Sequence, residues 1–311
     1  MTTALFSHPD CLRHVTPSGH PEQVARLEVI NRAFAAPDFD AILRREAPLG
    51  TEEMVRLAHP KVHFERIRDA EPTDGKAQLD PDTYMSPGSF NAALHGVGGI
   101  VAAVDAVLDG EASNAFVACR PPGHHAEKAK PMGFCLFSTV AIGALHALEN
   151  RGLERVAVVD FDVHHGNGTQ DVLWHESRIR FGSTHQYPLY PGTGAPNERG
   201  VYEQILNLSL SAGTGSTEMR AAWEGKILPW IEELSPDLLL VSAGFDAHKD
   251  DPLAQLEWET EDYGWLTAKL CDVADRCCEG RLVSTLEGGY DLNALEQSAT
   301  LHLKTLMERG R

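Results

Sequence analysis

The chain has 311 residues, 42% of them hydrophobic, and 45 acidic against 27 basic residues leave a formal net charge of −18. That length and composition exclude a wholly disordered chain and supply the core of a large α/β domain, read here as one domain over residues 1–311. The acidic surface repels phosphate backbones, so no nucleic-acid partner is expected; it suits cationic partners such as lysine side chains or polyamines, or simply keeps the chain in solution.

No run approaches the ~20 apolar residues of a membrane span, and the amino terminus has no basic segment followed by an apolar one. No membrane partner and a cytoplasmic setting are therefore expected. Cys11, Cys119, Cys135, Cys271, Cys277 and Cys278 contain no C-x-x-C pair, and several sit in apolar runs, which fits reduced thiols packed as small hydrophobes.

In chain order, residues 68–87 are polar and aperiodic and read as a surface loop. Residues 89–108 turn apolar and small, a buried helix in which Gly96, Gly98 and Gly99 permit close packing. A strand over 115–119 runs into Arg120-Pro121-Pro122-Gly123-His124-His125, and a helix follows over 139–149. The apolar strand 156–159 ends in Asp160-Phe161-Asp162-Val163-His164-His165-Gly166-Asn167-Gly168. Strand 179–183 precedes His185; after a helix over 219–234, strand 237–242 ends in Ala243-Gly244-Phe245-Asp246. A helix over 263–278, a strand over 282–286 ending in Glu287-Gly288-Gly289-Tyr290, and a helix over 294–309 complete the pattern.

Strands alternating with helices predict a mostly parallel sheet covered on both faces, with ligands bound beyond the carboxyl ends of its strands. Four strands carry Gly, His, Asp or Tyr just there, so segments far apart in sequence are expected to converge on an active site.

In extended chain, residues two apart share a face, so Asp160, Asp162 and His164 can present their side chains together. Asp162, His164 and Asp246 are candidate ligands for a divalent metal, leaving positions open for water and a substrate oxygen. Asp246 alone would read as a helix cap; beside the cluster it reads as a ligand. His124 and His125 in their rigid turn supply a candidate general base and acid. Asp160 and Asn167 read as hydrogen-bonding partners that orient these imidazoles. Tyr290, placed after Gly288-Gly289 on what reads as a flexible hinge, could polarise a substrate carbonyl. Together these describe hydrolysis of an amide by a metal-activated water; no Gly-x-Ser-x-Gly elbow supports a serine nucleophile.

Six motifs, Arg120–Ala126, Met132–Phe137, Asp160–Thr169, Tyr187–Gly194, Ser242–Ala247 and Leu286–Tyr290, resemble the histone deacetylase family over about His20 to Leu303, and the bacterial, class II-like branch most. The resemblance implies an arginase-like three-layer α/β/α fold and a zinc-dependent deacetylase, with Asp162, His164 and Asp246 as zinc ligands. It implies His124 and His125 as the tandem catalytic pair, Asp160 and Asn167 behind them, and Tyr290 as the carbonyl-polarising group. Phe134 and Tyr190 match the aromatics lining an acyl-lysine tunnel, with a tyrosine at the second position where phenylalanine is more usual, and Gly133 would pass the substrate's alkyl chain. Structural potassium is implied at backbone oxygens of Asp160, Asp162 and His164, an Asp160 carboxylate oxygen and the Ser183 hydroxyl. Leu253 falls where a polyamine-selective branch carries glutamate.

The expected substrate is an acetylated lysine in a protein or peptide, or a small acylated amine such as an acetylpolyamine, and hydroxamates are expected inhibitors. Iron(II) is an alternative to zinc that an Asp/His ligand set allows. An arginase-type dimetal site would need a D-x-H-x-D run that the chain lacks, and a non-enzymatic acyl-lysine binder would be expected to lose one of these residues.

Overall fold

The protein is described from a computed structural model covering residues 2–310. Its strands are β1 (Thr3–Ser7), β2 (Leu43–Glu46), β3 (Ala77–Gln78), β4 (Tyr84–Met85), β5 (Asn114–Val117), β6 (Val156–Asp160), β7 (Ile179–Gln186), β8 (Ile205–Leu210), β9 (Leu238–Ala243) and β10 (Leu282–Leu286). Eight form one sheet in the order β2-β1-β5-β10-β9-β6-β7-β8, and every neighbouring pair is parallel. β3 and β4 make a small antiparallel pair apart from it.

The centre of the sheet follows from composition. β6, β9 and β10 are short apolar runs with every residue buried, as parallel strands covered on both faces must be. β2, Leu43-Arg44-Arg45-Glu46, is mostly exposed, and its charges blunt a sheet edge. Helices Ser89–Leu108 and Thr139–Glu149 pack together, as do Thr260–Cys277 and Leu292–Arg309, with Val24–Phe34 against the last.

Helix Ser89–Leu108 corrects one reading: it is long and apolar enough to cross a membrane, and 78% of its most apolar window is buried inside this fold. Its glycines do allow close approach, since a Cβ on Gly98 would fall 2.0 Å from the Pro48 carbonyl oxygen.

The chain also holds more regular structure than the pattern indicates. β1, β2, β8 and the helices Val24–Phe34 and Lys61–Ala70 add to the expected elements. Residues 68–87 are not simply a surface loop: the helix Lys61–Ala70 takes the first three, β3 and β4 follow, and Thr83 and Met85 are buried.

Candidate active site

β5, β10, β9 and β6 are far apart in sequence but adjacent in the sheet, so the segments leaving their carboxyl ends meet above its centre. Asp162, His164 and Asp246 each offer a ligand atom, all within 4.8 Å of one another. His164 Nδ1 lies 3.1 Å from Asp162 Oδ1 and 3.1 Å from Asp246 Oδ2. Both carboxylates are fully buried, whereas His164 reaches a cavity.

The backbone is cut to fit these carboxylates. A Cβ on Gly288 would fall 2.2 Å from Asp246 Oδ2, and one on Gly244 would fall 2.1 Å from Asp162 Oδ2. Gly288 N–H also donates to Asp162 Oδ2 at 2.8 Å.

Burial and charge pull this cluster in opposite directions. Burial opposes charge on His164, yet its bonds to Asp162 and Asp246 raise it to about 10. Burial opposes the Asp162 carboxylate too, but His124 and His164 hold it well below its ordinary value, while burial and then Asp162 raise Asp246. Two carboxylate oxygens and one imidazole nitrogen in this arrangement fit a divalent zinc or iron ion.

Beside this cluster the two neighbouring imidazoles have different partners. His124 Nδ1–H donates to Asp160 Oδ2 at 2.9 Å. Burial opposes its protonation, but Asp162 and Asp160 hold it well above the ordinary histidine value. Asp160 itself is pushed up to about 6, chiefly by burial. Asn167 gives its amide N–H to Glu127 Oε1 at 2.8 Å, so its carbonyl accepts from His125 Nδ1–H at 2.7 Å. That leaves Nε2 of His125 as the acceptor. Burial, then His124 and His164, hold His125 well below the ordinary value. Glu287, missed in the sequence reading, shapes the turn by accepting from Gly123 and His124 N–H at 2.7 and 3.1 Å. Burial pushes it up to about 7.

A cavity of about 180 Å³ opens over the cluster, with His125, His164 and Tyr290 among its lining. Gly133, Phe134, Tyr190 and Leu253 line it as well, joined by Leu189 and Asp82, which the sequence reading did not single out. Any side chain at Gly133 would strike the His125 ring, its Cβ only 2.4 Å from Cδ2. Phe134 stands at φ 69°, a left-handed conformation costing roughly 1–2 kcal/mol for a residue with a side chain. Asp82 was hidden because nothing in its polar stretch distinguishes it from solvent-facing acids; it holds the cavity wall by accepting from Gly133 N–H at 3.1 Å.

Tyr290 does not sit on a loose hinge. Phe245 N–H donates to Gly288 O, Arg26 donates to Gly289 O, and Tyr290 N–H donates to Asp251 Oδ2 at 2.7 Å. The Arg26 guanidinium lies 4.9 Å from the Tyr290 ring centre, and the residue is 9% exposed. Burial holds its hydroxyl well above the ordinary tyrosine value. Ser183 pairs in register with Asp160, and its hydroxyl meets His185 Nδ1 at 2.9 Å.

His8, Asp10 and His95 also lie within mutual reach. The two rings are stacked, 3.5 Å between centroids and 11° between planes, so their in-plane lone pairs do not converge on a common ion.

Residues 20–306 match the histone deacetylase domain. An uncharacterized protein of Synechocystis is 40% identical over 308 residues, covering 98% of this chain and 99% of that one. The histone deacetylase-like amidohydrolase of Pseudomonas aeruginosa is 38% identical over 255 residues, covering 80% of this chain and 66% of its own. A probable deacetylase of Archaeoglobus fulgidus is 37% identical over 305 residues, covering 94% and 82%. The solved HDA15 HD domain superposes with a TM-score of 0.94 at 32% identity, over 99% of this chain and 88% of that one.

The fold is thus the arginase-like α/β one, with its candidate active site at the carboxyl ends of the strands. The chain belongs to the histone deacetylase family, whose members similar to it include proteins named as deacetylases and an amidohydrolase.

Proposed function

We propose that the protein is a zinc-dependent deacetylase that hydrolyses the amide of N-acetyl-lysine or a similar acylated amine. The observation that carries this is the Asp162/His164/Asp246 cluster, which meets a cavity through His164, with His125 and Tyr290 lining the same cavity. When bound, zinc would supply Lewis acidity, polarising the acyl carbonyl and acidifying a water. His125, its Nδ1–H held by Asn167, takes the water's proton on Nε2 and returns it to the leaving amine. His124, its Nδ1–H held by Asp160, stabilises the developing negative charge. The Tyr290 hydroxyl donates to the same oxygen. Gly133, Phe134, Tyr190 and Leu253 guide the substrate's aliphatic chain. A potassium ion beneath the site would take backbone oxygens of Asp160, Asp162 and His164, together with Asp160 and Ser183 side chains.

The test is a comparison of zinc-loaded enzyme on an acetyl-lysine peptide and on acetylputrescine. Higher kcat/KM on the peptide is expected; turnover of neither, with metal bound, would refute the reading. A hydroxamate, which chelates through two oxygens, should inhibit strongly, and indifference to it would count against an open metal position.

A second reading, a small-amine deacetylase, is favoured by Asp82, whose carboxylate at the cavity suits an ammonium group. Burial, then Asp80, pushes Asp82 up to about 6. A substrate with a free ammonium should therefore show a KM that falls as pH rises through this value, and Asp82→Asn should remove that dependence. The raised acid also works against stability. Between its ordinary value, about 3.9, and the raised one, the native state holds a proton the unfolded chain releases, so stability falls as pH rises across that window. A pH-independent KM in the parent enzyme would exclude Asp82 as the ammonium's partner.

A further inference from the structure

We infer that His59 and His63, outside the catalytic cluster, are positioning residues that clamp the base of the loop carrying Phe134 and so set the wall of the substrate tunnel. The inference rests on the proposed function for the meaning of that wall, and on geometry alone for the clamp.

The loop leaves His125 and returns to the helix Thr139–Glu149. Bridges between Glu127 and Lys130 and between Met132 and Cys135 close two successive tight turns within it. Gly133 and Phe134 form the tip of the second, at φ 56° and 69°. A bulky residue persists in that conformation only where its surroundings over-determine it. The tip is held by Asp82 and by Thr83, whose hydroxyl accepts from Phe134 N–H at 3.1 Å.

The base is held from the other side of the chain. His59 donates from Nδ1 to the Lys128 carbonyl at 3.0 Å and accepts on Nε2 from Ser138 N–H at 2.9 Å. One ring therefore ties both ends of the loop together. His63 donates from Nε2 to the Leu136 carbonyl at 2.9 Å. The rings stack at 4.5 Å and 18°, and Phe137 packs at 5.7 Å from each. They are 2% and 1% exposed.

The partners of His59 require the neutral, Nδ1-protonated ring, and burial, then His63, lowers it to about 3. Neither ring is hydrogen-bonded to a carboxylate. What the His59 imidazole adds over a phenyl ring is a donor and an acceptor on opposite edges, and His63 adds a donor; apolar packing would leave the backbone groups they meet unpaired.

His63→Phe keeps the ring, the stack and the volume while removing one hydrogen bond, His59→Phe removes two, and His63→Gln restores the Nε donor. In zinc-loaded protein, His63→Phe should raise amide exchange over residues 127–137 about 10-fold, the scale of one lost buried hydrogen bond, without changing it in the central strands. A tunnel-filling aryl hydroxamate should weaken about 10-fold on the same basis while acetohydroxamate, which ends at the metal, stays within about 2-fold; His63→Gln should recover most of the loss. Unchanged loop exchange, or equal weakening of both inhibitors with faster exchange throughout, would overturn the clamp. Should the parent enzyme bind neither hydroxamate, the proposed function fails, and loop exchange still decides the clamp.

Discussion

Replacing Asp246 with alanine is expected to bring turnover to background and to abolish the rise in Tm that zinc gives the parent protein. The substitution leaves two ligands, Asp162 and His164, too few to hold a catalytic ion against water. Asp246 Oδ1 also accepts from Val163 N–H at 2.9 Å, so an alternative role as a backbone cap makes a different prediction. Asp246→Asn keeps that acceptor and removes the charge; a cap would then preserve turnover, a ligand would not. Metal-free protein separates the two again. Stripped Asp246→Ala protein loses the bonds to Val163 and His164 under either role, so its Tm should fall, but only a ligand role also abolishes the rise that zinc gives. Near-normal kcat with bound zinc would sink the ligand assignment.

Tyr290→Phe is the second large effect. If the hydroxyl donates to the developing oxyanion, its loss should lower kcat by about 10²–10³-fold, the scale of one oxyanion-hole donor. The ring should stay where it is, because Arg26, the Asp251 carboxylate and the Phe134 edge at 5.8 Å fix the residue through its ring and backbone. KM and hydroxamate affinity should therefore move little. Burial keeps the hydroxyl protonated well beyond neutral pH, so it can donate throughout the working range. A variant with unchanged kcat would mean that the ring only packs.

The parallel α/β architecture was legible because its central strands are short, apolar and each followed by an unusual polar turn. Asp160 to His164 was legible for the same reason: carboxylates and imidazoles rarely follow a buried strand unless they have work there. The outer strands were not. β2 is four residues with three charges, and β8 mixes Asn207 and Ser209 into its apolar positions, so neither stands out from loop sequence. Helix Lys61–Ala70 carries charges around most of its surface and buries only His63, Phe64 and Ile67. Local pattern reports burial on both faces far better than burial on one.

Residue types and their local spacing were enough to specify which chemistry the chain carries: two histidines in a Pro-Pro-Gly turn, an Asp/His run after one strand, an Asp after another and a Tyr after a third. Each is a property of residue type and spacing within a few positions, where backbone geometry is already constrained. Tertiary structure alone decided that the four segments meet, because β5 and β6 are consecutive in the chain while β10 and β9, formed much later, lie between them. It also decided the different electrostatics of His124 and His125, identical neighbours in sequence. One faces the carboxylate of Asp160 and the other the neutral carbonyl of Asn167. Asp82, Glu287 and the His59–His63 pair belong to the same class of fact. Their roles come from what lies across the fold, and no local pattern encodes a contact whose other half is far away in the chain.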